Sequence, residues 1–240
     1  RLGFCQLLAH LTLTALPGGR LCISSETNLT TIDAHMMRLR EVSDEDLGAE
    51  MIFAVTASDS GLYVSELGPN RLRRLDHESL EILAELELEV NETAVSMKLA
   101  PGPLLFVVMY TQFDDNSYYM IVAFNALTFE RQHSFGRASW RDRNYGGIEV
   151  INQELFVTDY EARCLRVFSF SGEHLREVCG DWGTPQSFCF VEDRIYLVVD
   201  YSTATPGRRI VAITPEGDTL QSYTPDLTAM GDFTRMTQIC

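Results

Sequence analysis

The chain has 240 residues, of which 34 are acidic and 19 basic, for a formal net charge of -15. Hydrophobic residues make up 45 % and aromatics 10 %, so a disordered acidic tail is excluded and there is enough apolar mass for a sizeable core. The acidity argues against nucleic acid as main partner, because phosphate binding wants net positive charge, and it fits a cationic partner or plain solubility. Eighteen of the basic residues are Arg and one, Lys98, is Lys. No apolar run is long enough to span a membrane as a helix.

The chain starts at Arg1 rather than Met, and we read it as one domain, 1–240, cut from something longer. Leu2 to Leu16 has the apolar content of a signal-peptide core, but His10, Thr12 and Thr14 alternate with apolar residues, which favours a strand pair. The six cysteines, at 5, 22, 164, 179, 189 and 240, form no CxxC and are too far apart for a zinc motif. Their even number permits disulfides without demanding them. Sequons at Asn28 and Asn91 are weak signals.

From the start of the chain a four-strand unit recurs. Its innermost strands are predicted over Leu11 to Thr14, Phe53 to Thr56, Val95 to Leu99, Ile148 to Ile151 and Phe188 to Val191. Turns follow at Pro17-Gly18-Gly19, Asp59-Ser60-Gly61, Pro101-Gly102-Pro103, Asn152-Gln153-Glu154 and Glu192-Asp193-Arg194. Second strands start at Leu21, Leu62, Leu105, Leu155 and Ile195, spaced by 41, 43, 50 and 40 residues. Third and fourth strands follow, for example Arg71 to Asp76 and a strand from Leu80, or Arg209 to Thr214 and Thr219 to Tyr223. Glu78 to Glu92 has helical propensity, yet the alternation Glu85-Leu86-Glu87-Leu88-Glu89-Val90 predicts an outer strand whose Glu residues guard its free edge.

Four strands every forty-odd residues is the period of a β-propeller blade. Five complete units account for residues 9 to 224. The leftover ends, 1–8 and 228–240, predict a sixth blade, incomplete or closed by both termini, with Cys5 near Cys240. The expected fold is therefore an all-β propeller of about six four-stranded blades.

Within residues 148–180, Val157-Thr158-Asp159, a short loop, Leu165-Arg166-Val167-Phe168, a Ser171-Gly172 turn and a final Gly180 resemble a blade of the NHL-repeat propellers. The third unit departs most, with a long second loop (Thr111 to Tyr118) and a long connection (Gly136 to Gly147). The resemblance implies a recognition module for proteins or peptides, as in ubiquitin ligases with tripartite motifs, although no RING is present; some such propellers bind RNA.

The five His scatter around the rim in this scheme and cannot converge on one metal or base. Neither a nucleophile elbow nor a phosphate loop occurs. Glu26, Glu66, Asp159 and Asp200 each end a second strand and could ring one face around the channel as a Ca²⁺ or Zn²⁺ site, the basis of an alternative reading as a metal-dependent lyase or hydrolase. Asp114 and Asp115 hold the matching loop of the third unit. The plainer reading is that these acids cap turns, which implies no cofactor. The other concentration is Trp140, Arg141, Arg143 and Tyr145 in the longest connection, with Trp182 in the next and Tyr160 and Tyr201 beside the acidic positions. Trp, Tyr and Arg anchor interfaces, so this face is expected to bind a protein or peptide, unless the two Trp pack between blades. Acidic loops at 43–46 and 89–92 would make the face electrostatically split.

Overall fold

The computed structural model describes residues 12–25, 27–33, 35, 37–68, 70–113, 117–139, 145–200 and 208–224, with residues 12, 13, 44, 139 and 208 described by backbone alone. Period-two alternation and short turns give twenty strands, and these pair only with their neighbours in sequence. Blade one holds β1 (Thr12–Leu16), β2 (Arg20–Ser24), β3 (Asn28–Ile32) and β4 (Arg38–Ser43). Blade two holds β5 (Met51–Ser58), β6 (Gly61–Leu67), β7 (Arg71–Leu75) and β8 (Ile82–Glu87). Blade three holds β9 (Glu92–Ala100), β10 (Leu104–Thr111), β11 (Tyr118–Asn125) and β12 (Arg131–Ser139). Blade four holds β13 (Tyr145–Ile151), β14 (Glu154–Asp159), β15 (Cys164–Ser169) and β16 (His174–Cys179). Blade five holds β17 (Thr184–Val191), β18 (Arg194–Asp200), β19 (Arg208–Ile213) and β20 (Thr219–Tyr223). The only helix among the described residues longer than a single 3-10 turn is α1 (Asp44–Leu47).

All five sheets are antiparallel meanders of four strands arranged in a ring, a β-propeller. The sixth blade and the meeting of Cys5 with Cys240 lie outside the described residues. So do residues 1–11 of the predicted first strand pair, whereas β1 pairs with β2 through Leu13↔Ile23 and Ala15↔Leu21. The Glu-rich segment holds the strand β8 over Ile82–Glu87 and no helix, with residues 88–91 forming the turn into β9.

Period-two alternation sends successive residues of a second strand to opposite neighbouring blades. In β14, Leu155 packs towards blade three with Phe106 and Val108, and Phe156 packs towards blade five with Leu197 and Val211. Four such cores fill the gaps between consecutive blades. Each fully buried Leu, Val or Phe contributes roughly 1.5–3 kcal/mol.

The turns repeat a device as well. Asp33, Asp76, Asn125, Ser169 and Thr214 each end or directly follow a third strand, and each accepts, through its side chain, one or two backbone N–H groups two to four residues on. This is the local bonding that favours Asx and Ser/Thr turns. The first hairpins of blades four and five turn through Asn152-Gln153 and Glu192-Asp193, all four with positive φ. That conformation matches the right-handed twist of the strands.

Candidate functional site

A central cavity is lined by residues of all five innermost strands, among them Thr14, Thr56, Ser96, Lys98, Gly147 and Ser187. The chain's one lysine is here. Its Nζ donates to Oε2 of Glu149 on the next innermost strand at 2.8 Å. Ser187 Oγ is buried with no hydrogen-bond partner among the described residues.

Two of the carboxylates predicted to ring this channel, Glu66 and Asp159, are held by arginines of their own blades. Glu66 is buried on β6, 3.1 Å from both Arg71 and Arg73 of β7. Burial pushes its carboxyl up, opposed by Arg73 and Arg71. Asp159 repeats the arrangement on β14. Its Oδ2 accepts from Nε of Arg166 at 2.7 Å, and Arg166 continues to Glu177 of β16 at 2.7 Å. Arg73 likewise continues to Glu85 of β8. Burial pulls the Arg166 guanidinium down, but the neighbouring Asp159, Glu177 and Tyr145 together push it up, and the net direction is up. Asp200 lies five residues beyond Ile195, whereas Glu66 and Asp159 lie four beyond Leu62 and Leu155. The three strands are unbulged against the third strands of their blades, so Asp200 faces the opposite side of its sheet. Glu66, Asp159 and Asp200 therefore do not converge. Glu26 lies outside the described residues, as do Asp114 and Asp115.

The aromatic group is also redistributed. Tyr145 begins β13 rather than lying in a loop, and it is fully buried against Ile148 and Phe168. Trp182 is 1 % exposed in the core between blades four and five. Its indole rests on Gly180, where a Cβ would fall 2.0 Å from Nε1. Tyr160 reaches over Gly146 and donates from its hydroxyl to the carbonyl of Gln186 at 3.0 Å, joining blade four to blade five. These three expected contact residues pack between blades because a large apolar ring gains more by filling a gap than by facing water. Trp140, Arg141, Arg143 and Tyr201 lie outside the described residues.

Arginine does much of the remaining joining. Arg71 donates to the carbonyls of Leu47 and Gly48, and Arg73 to that of Leu47, in the connection that precedes their blade. Arg209 does the same for Asp181 and Trp182. Arg131 clasps both oxygens of Glu92 at 3.0 and 2.9 Å, so the expected acidic loop at 89–92 ends in an ion pair whose carboxylate is buried and whose guanidinium is exposed. In the other acidic loop, the Ser43 hydroxyl donates to Asp46 while the Asp46 N–H donates back to Ser43, capping α1.

An exposed cluster that the sequence reading missed lies on the loops of blade three. Phe113, 49 % exposed, stacks on Tyr118 with ring centroids 6.2 Å apart. The Arg137 guanidinium stands 3.8 Å over the other partner, the Tyr118 ring. Ser117 donates to the Phe113 carbonyl and shapes the loop. The Gln112 N–H donates to Asn91 O, bringing the loop beside Val90, which is 98 % exposed. Tyr118 pairs with Ser139, the last residue of β12. The length of the Thr111 to Tyr118 loop was the available signal.

No histidine belongs to a group of three possible metal ligands among the described residues: His133 meets the Phe170 carbonyl, and His174 lies 4.0 Å from Glu177. Cys164 opposes Cys179 across β15 and β16. Burial first, then Cys179, Glu177 and Asp159, push the Cys164 thiol up to about 12.

No family model and no curated protein matches the chain, and the NHL resemblance therefore rests on the blade motif alone. Solved structures share the fold. A protein of unknown function from Bacteroides caccae aligns with TM-score 0.69 at 12 % identity over 95 % of this chain and 84 % of its own. Kuenenia stuttgartiensis hydrazine synthase aligns with TM-score 0.65 at 14 % identity over 87 % of this chain and 63 % of its own. The Pan2 WD40 domain of Neurospora crassa aligns with TM-score 0.61 at 10 % identity over 90 % of this chain and 65 % of its own. At these identities the likeness is one of fold alone. No helix among the described residues is long and apolar enough to cross a membrane.

Proposed function

We propose that the chain is a non-catalytic binding platform of NHL-like type that takes a protein or peptide on the loop face of blade three. The observation that carries this reading is the Phe113–Tyr118–Arg137 stack, held open to solvent at the end of a long loop. An aromatic pair capped by a guanidinium combines the residue types that dominate interface energetics, with little side-chain entropy left to lose. Trp140, Arg141 and Arg143 join the proposed surface by chain position, since their connection starts opposite Tyr118. The rigid blades hold these loops in place.

The test is affinity capture with the wild-type chain beside Phe113→Ser/Arg137→Ser and Trp140→Ala variants. We expect one set of captured proteins to be lost from the stack variant and depleted from the Trp140 variant. An unchanged set with both variants places recognition on another face.

A further inference from the structure

We propose that Cys164, Cys179 and Glu177 form a binding site for one thiophilic divalent cation of the Zn²⁺ class, independent of the docking face. The register of blade four sets Cys164 directly opposite Cys179, and Glu177 lies two residues before Cys179 on the same side of β16. Their ligand atoms all lie within 4.8 Å of one another. Zinc bonds of about 2.3 Å to sulfur and about 2.1 Å to carboxylate oxygen place tetrahedral donors roughly 3.5–3.8 Å apart. A side-chain adjustment of about 1 Å therefore closes the site. Cys164 is buried and anchors it, while exposed Cys179 gives the ion a way in.

The surroundings suit a bound dication. Two thiolates and one carboxylate carry three negative charges, and a divalent ion leaves one over. Arg166 stands beside that remainder, its Nη1 2.7 Å from Oε1 of Glu177 in an ion pair. No partner of the other oxygen, Oε2, occurs among the described residues. This is the pattern in which a positioning residue orients a ligating carboxylate by one oxygen and leaves the second for the metal. With three protein donors the fourth position stays open to water or to a ligand. Binding exchanges the two thiol protons for the ion, so it strengthens as pH rises.

The experiment uses the whole chain, reduced and stripped by chelation, then titrated with Co²⁺ as the spectroscopic probe and afterwards with Zn²⁺. The expected result is one Co²⁺ per chain, with thiolate-to-cobalt charge-transfer absorption and the intense visible bands of a four-coordinate ion, both erased by Zn²⁺. Cys179→Ser, at an exposed position, abolishes the charge-transfer band while the far-ultraviolet circular dichroism stays that of the wild type. Glu177→Gln keeps the band and weakens Co²⁺ affinity ten-fold or more. Absence of Co²⁺ uptake overturns the proposal, and so does a band that survives in Cys179→Ser. Closure of the reduced protein to a Cys164–Cys179 disulfide with no uptake overturns it as well.

Discussion

Nη1 of Arg73 lies 3.1 Å from Oε1 of Glu66, one strand away, with both side chains buried. The pair works as a clamp, because the same guanidinium bonds the Leu47 carbonyl in the connection from blade one and reaches Glu85 on the outer strand. Asp159, Arg166 and Glu177 build the counterpart in blade four.

Removing Glu66 leaves two largely buried guanidiniums, Arg71 and Arg73, to share Glu85, and breaking a buried pair costs about 3–5 kcal/mol. Glu66→Ala is therefore expected to lower Tm by roughly 6–20 °C, taking about 2–4 °C per kcal/mol for a chain of this size. Glu66→Leu combined with Arg73→Met should recover most of the loss, since apolar residues of similar volume replace buried ion pairs well. Thermal denaturation of the three proteins decides it. A double variant no more stable than Glu66→Ala would locate the loss outside the unpaired charge.

Trp182 fills the space between blades four and five, so Trp182→Ala should cost about 3–5 kcal/mol in urea denaturation. Gly180→Ala tests the same contact from below, because its new Cβ meets the indole at 2.0 Å. Both variants are expected to lose stability with partner capture by blade three unaffected. Lost capture at unchanged stability would mean that Trp182 is a contact residue after all.

The Asp76 carboxyl is held below the usual carboxylate range by the backbone N–H groups of Ser79 and Glu78. The folded state thus binds this proton more weakly than the unfolded chain does, and stability rises with pH through the titration. The contribution is complete above the unfolded value of about 3.9 and disappears as pH falls through the lower folded value. Asp76→Ala should be less stable than wild type at pH 7, with the difference closing below about pH 4. Melting temperatures across that range check it, and a gap independent of pH would remove the charged Asx turn as its cause.

The blade plan was legible because a pleated strand, buried on both sides, writes its anchors at fixed spacing. Leu62, Leu105, Leu155 and Ile195 are each the second residue of their blade's second strand and are fully buried. Placement of the polar side chains was harder to foresee. One residue of offset separates Asp200 from Glu66 and Asp159, and in a strand that sends a side chain to the other neighbour. A cue was present in the sequence, since Arg73 and Arg166 each follow their acid by seven residues. Tyr145 went unrecognised as a strand residue because β13 begins earlier than its run of β-branched residues. Cys164 and Cys179 are distant in sequence, yet the hairpin register between them makes them neighbours.

Lys98 carries the one side-chain amine of the chain, and it lies in the channel against Glu149. Every other basic side chain apart from histidine is a guanidinium, which stays charged and holds carboxylates and carbonyls with a fork. Chemistry directed at lysine, whether acylation, aldehyde cross-linking or transfer of a ubiquitin-like tag, thus meets a single side chain already tied within the ring. The propeller keeps its positive charge in a form that such reactions pass by.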